Sequence, residues 1–60
     1  MNPSTPKLDL IASMTVAGCA DEMVSASIRL KQAAKDRDFT LVRKHLEAVL
    51  NFAHTAESVL

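Results

Sequence analysis

The sequence predicts an all-α protein: an antiparallel two-helix hairpin that associates into a helical-bundle homo-oligomer. Three observations carry this reading. Glycine occurs once and proline twice, both prolines within the first six residues, so the turn punctuation of a multi-stranded sheet is missing. Apolar residues recur at helical spacing along most of the chain. One charged interruption, Lys35-Asp36-Arg37-Asp38, divides that pattern in two. With 60 residues the chain makes one domain, 1–60. A core of this size is marginal, because folding buries only roughly 60% of the surface that the unfolded chain exposes.

The first element is expected over about 6–35. Thr5-Pro6 offers a hydroxyl N-cap followed by a proline, whose missing N–H costs nothing in the first helical turn. At about 100° per residue, Leu8, Ala12, Val16, Cys19, Met23, Ala26, Leu30 and Ala33 fall on one arc that keeps its phase across Gly18. That phase predicts a continuous helix. A mid-helix glycine costs up to about 1 kcal/mol relative to alanine, so the alternative is a break near Gly18 to Asp21, with Asp21 capping a second segment. Ala17, Gly18, Cys19 and Ala20 form a small-residue patch that suits close helix approach.

The second element is expected over about 38–60, with Asp36 or Asp38 as its cap. Its apolar positions, from Phe39 to Leu60, cover more than half of the circumference, nearly twice the arc of somewhat over ~100° that a helix facing one partner shows. The first helix likewise carries a second stripe outside its main arc. A lone hairpin cannot cover both sets, so hairpin packing on hairpin is the expected solution, with Leu10, Val24, Ile28, Val42, Val49 and Leu60 at the interface. One cysteine and two histidines make association an easier route to stability than disulfides or a metal.

Catalysis finds little support. His45 and His54 are nine residues apart, about half a turn out of phase, so one helix cannot bring them together as metal ligands or as an acid–base pair. His54 falls on the polar face, while His45 lies nearer the apolar one, where a packed histidine is expected. Glu47 and Glu57 are also out of phase. Cys19 has no basic or histidine neighbour in sequence to activate it, so it reads as a small buried side chain, and Met14 and Met23 read as core filler. No phosphate loop or zinc spacing is present, and neither a metal nor a cofactor is expected. Val16-Ala17-Gly18-Cys19 has the pattern of a lipoprotein cleavage box, but Asp9, Ser13 and Thr15 interrupt the apolar run that an export signal needs. No stretch approaches the ~18 apolar residues of a membrane span. A cytoplasmic, non-enzymatic protein is expected.

Charge is balanced overall but unevenly placed. Six of the seven basic residues lie between 29 and 44, where Asp36 and Asp38 are the acids, so this segment is +4 and the rest, with Lys7 against five acids, is −4. Arg29, Arg37, Arg43 and Lys44 are therefore candidate anion contacts at the turn end of the hairpin, where guanidinium groups suit phosphate. Duplex nucleic acid is disfavoured, because the basic stretch is short and no tyrosine or tryptophan offers a stacking platform.

Arg37-Asp38-Phe39-Thr40-Leu41-Val42, followed by Leu46-Glu47-Ala48-Val49 and Phe52-Ala53, resembles the last helix of the small phage proteins that counter CBASS immunity by sequestering cyclic oligonucleotides. The resemblance covers about a quarter of the chain. It implies a helical hairpin in a symmetric oligomer, a signalling nucleotide held between subunits without chemistry, and Arg37 as a phosphate contact. The expected function is a non-enzymatic oligomeric binding protein, of the phage-encoded inhibitor type, for an anionic small molecule. The alternative is a protein–protein adaptor or inhibitor that docks its surplus apolar face on a host or regulatory protein.

Overall fold

Pro6 and the three residues after it do not enter a helix; the first helix, α1, runs Leu10–Lys35 in the computed structural model, which describes residues 6–60. Its start is therefore Leu10 and not position 6. Asp9 supplies the physical reason. Held in extended backbone at φ −67°, ψ 164°, it accepts the Ala12 amide proton on its carboxylate at 2.8 Å, and its carbonyl accepts from the Ser13 amide at 2.9 Å. A carboxylate N-cap satisfies one orphan amide and places negative charge at the positive end of the helix dipole. Thr5, the cap expected from sequence, lies outside the described residues.

α1 continues without interruption through Gly18, as the unbroken apolar phase predicts. A Cβ built on Gly18 would meet nothing within 4 Å, so the glycine serves no close approach. The small residues that matter for packing lie elsewhere. Ala12, Cys19, Ala26 and Ala33 are the buried residues of α1, spaced one heptad apart, and Val16, Met23 and Leu30 are half-buried between them. This alternation of three and four residues is a coiled-coil seam. Small side chains along one edge of it let a second helix backbone settle close against α1.

That helix, α2, runs Phe39–Ser58, within the expected 38–60. The turn is a Schellman arrangement followed at once by an N-cap. The Arg37 amide donates to the Ala34 carbonyl at 3.1 Å and the Asp38 amide to the Ala33 carbonyl at 3.0 Å, closing α1 through a left-handed residue, Arg37, at φ 56°. Asp38 then accepts from the Leu41 amide at 3.1 Å. Of the two candidate caps, Asp38 is the one used; Asp36 ends α1 and accepts from the Gln32 side chain at 3.0 Å.

The chain returns along α1, and α2 presents Val42, His45, Val49, Phe52 and Ala56, again at spacings of three and four, to the seam. All five are half-buried and no residue of α2 is fully buried. The hairpin is long and thin, with Cα extents of 51 × 20 × 14 Å. α1, at 26 residues, is longer than α2, at 20. It therefore overhangs at the open end, where Leu10, Ile11 and Met14 are exposed.

Candidate functional site

Once the seam is placed, every other residue has a definite side of the hairpin. Two antiparallel helices that share a seam put the positions next to it in pairs, so the assembly has two broad faces of different character. One face carries Leu10, Ala17, Ala20 and Val24 from α1, and Phe39, Leu46, Leu50, Ala53 and Leu60 from α2. The opposite face carries Thr15, Glu22, Ser25, Arg29 and Gln32 from α1, and Lys44, Asn51, Thr55 and Ser58 from α2, with Ile11, Leu41 and Ala48 as its apolar members.

The first face is apolar and open. Leu10 is 74% exposed, Phe39 74% and Leu60 79%, and Val24, Leu46 and Leu50 are exposed beside them, with Met14 and Ile28 at the outer edge of α1. Shallow grooves run along it. One is lined by Phe39, Val42, Arg43, Leu46, Glu47 and Leu50 on α2. Another, on α1, is lined by Ala20, Met23, Val24, Ser27, Ile28 and Lys31. The half-buried seam residues Met23 and Val42 reach these grooves, so the seam is sealed on its small-residue edge and open on this one.

Of the six interface residues expected from sequence, Leu10, Val24, Ile28 and Leu60 are exposed. Val42 and Val49 are half-buried in the hairpin's own seam, because the heptad that meets α1 passes through them. The sequence pattern alone singles out no interface role for Phe39 and Leu46, which share the line of Leu60, or for Leu50 on the line beside it. Their signal is present as spacings of seven, four and ten along α2, but it separates from the rest only after the seam is known.

The four candidate anion contacts do not form one cluster. Arg43 belongs to the apolar face, where its guanidinium lies 5.7 Å from the centre of the Phe39 ring and 3.9 Å from the Glu47 carboxylate. Arg29 and Lys44 belong to the polar face. Arg37 stands at the tip of the turn with positive φ. Among the described residues, Arg29, Arg37 and Lys44 form no ion pair.

The remaining reactive groups are dispersed. Cys19 is a free thiol buried in the seam, as its neighbours in sequence suggest. His54 is exposed, 3.8 Å from Glu57, and His45 is half-buried in the seam. Among the described residues no group of three or more His, Cys, Asp or Glu side chains is placed to hold a metal, and no helix is long and apolar enough to cross a membrane. No protein-family model, curated protein or solved structure matches the chain.

Proposed function

We propose that the chain is a non-enzymatic binding protein that works as a homo-oligomer, its hairpins packed through the apolar face into a helical bundle. The observation that supports this most directly is the concentration of exposed leucine, phenylalanine and valine on one face of the hairpin, opposite a face that is mostly polar apart from Ile11, Leu41 and Ala48. Large apolar side chains gathered in this way mark a protein–protein surface. Burying each gains on the order of 1.5–3 kcal/mol relative to leaving it in water.

Sedimentation equilibrium tests the reading. The protein is expected to be oligomeric at micromolar concentration, and Leu46→Glu with Leu50→Glu to yield a smaller species. A folded monomer that keeps its helicity would instead assign the face to another protein, the adaptor reading.

A second reading concerns the basic turn end, and it is favoured by Arg29, Arg37 and Lys44 having no ion-pair partner among the described residues. These groups are free to take an anionic small molecule such as a cyclic oligonucleotide. Oligomerisation would set such ends beside further polar surface. Calorimetry with cyclic di- and trinucleotides is the test, and binding through phosphate should weaken as salt rises.

A further inference from the structure

We propose that the partner on the apolar face is a second copy of this chain lying antiparallel to the first, turn against open end, with α2 packed on α2 about a two-fold axis near Leu50. This rests on the self-association proposed above and adds its geometry.

Two features point to it. The first is charge. Residues 29–44, which surround the turn, sum to +4 and the rest of the chain to −4, so the hairpin has a basic end and an acidic remainder. On the apolar face itself the turn end contributes Lys31 and Arg43 and the open end Glu57, so an antiparallel pair sets each basic end against the other's carboxylate. A pair aligned turn beside turn would instead bring like charges together.

The second feature is the symmetry of α2 itself. Arg43, Leu50 and Glu57 occupy one line, one heptad apart, so a two-fold axis at Leu50 sets each Arg43 opposite the partner's Glu57. The same axis brings Phe39, 11 residues before Leu50, level with the partner's Leu60, 10 residues after it. It also sets Leu46 against the partner's Ala53, large against small, which is the arrangement that lets side chains interdigitate. The overhanging open end of α1, with exposed Leu10 and Met14, then lies at the level of the partner's Phe39.

The contacts these groups make within the hairpin leave room for this exchange. Arg43 to Glu47 is 3.9 Å with both side chains largely exposed, and Glu57 lies 3.8 Å from the His54 ring, also exposed. Neither contact encloses Arg43 or Glu57. A two-fold pairing of one patch with itself closes and leaves no open edge for further growth.

The experiment uses the full chain with R43E and E57R, each alone and mixed in equal amounts, followed by sedimentation equilibrium at low ionic strength, with circular dichroism to confirm helicity. Each variant alone turns two attractive pairings into repulsive ones, so its dimer dissociation constant should rise about tenfold. The mixture should recover the wild-type affinity as a heterodimer, because both crossed pairs are then opposite in sign. Positions 43 and 57 are ~21 Å apart along one helix, so recovery cannot arise within a chain. A wild-type dimer whose variants show no recovery on mixing overturns the antiparallel pairing and leaves self-association standing. A wild-type monomer overturns both. Spin labels on Thr40→Cys in a Cys19→Ala background give a separate readout: a separation on the order of 30 Å is expected, and a short distance, turn beside turn, rejects the arrangement.

Discussion

The amide of Asp38 donates to the carbonyl of Ala33 at 3.0 Å, so the residue that caps the start of α2 also closes the end of α1. The Asp38 side chain meanwhile holds the Leu41 amide. One residue therefore joins the helices with almost no loop, and α2 leaves the turn at an angle that returns it along the Ala33–Ala26–Cys19 edge. Replacing Asp38 with Ala removes the side-chain cap and should destabilise the fold by about 1 kcal/mol, whereas Asn, an equally good cap, should retain most of the stability. Thermal denaturation of the two variants side by side is the check.

Arg37 occupies the left-handed region at φ 56°, where a side chain with a Cβ is strained and glycine is not. Arg37→Gly should therefore stabilise the hairpin by about 0.5–1 kcal/mol, raising the melting temperature by several degrees. Arg37→Val, β-branched at a position that requires positive φ, should lower it. If the glycine variant melted below the wild type, the turn geometry described above would be wrong.

Gly18 and Ala26 make a paired test of where small residues matter. A Cβ on Gly18 meets open space, so Gly18→Ala should gain about 0.5–1 kcal/mol from helix propensity alone. Ala26 is only 4% exposed on the buried edge of the seam. Ala26→Leu must force the helices apart and should cost about 1–3 kcal/mol. Chemical denaturation at fixed protein concentration measures both, and the opposite order would place the seam on the Gly18 face.

Much of this fold is legible in the sequence because its strongest signals are local. Apolar phase through Gly18 predicts one long α1, and the Lys35–Asp38 interruption predicts the turn. The start of α1 is less legible, since two good caps, Thr5 and Asp9, precede the same apolar run, and the choice depends on the backbone of the residues between them. The candidate site is legible only in part. α2 is apolar over more than half its surface, so sequence alone shows a surplus without saying which stripe meets α1. Val42 and Val49 look outward-facing on that basis, and Phe39, Leu46 and Leu50 find their place only after α1 has chosen its side. The basic residues show the converse problem. Their closeness in sequence suggests one cluster, but helical phase sends Arg43 to one face, Arg29 and Lys44 to the other, and Arg37 to the tip.

That separation divides what the basic residues should do. Arg29, Arg37 and Lys44 stand clear of the apolar face, so replacing any one with Ala should leave helicity and oligomer size unchanged. If the turn end takes a cyclic dinucleotide, each charge-assisted hydrogen bond to phosphate is worth roughly 1.5–3 kcal/mol, and its removal should lower affinity about tenfold or more. Lys in place of Arg37 should restore binding only in part, because an ammonium lacks the bidentate fork. Arg43→Ala should behave differently, removing the side chain that covers the Phe39 ring and weakening assembly before it affects any ligand. Calorimetry and sedimentation on the same four variants separate these outcomes. Absence of binding heat with every cyclic di- and trinucleotide at near-physiological salt would overturn the cyclic-nucleotide reading and favour the protein-docking adaptor, because groove packing of leucine and valine needs no charge at the turn.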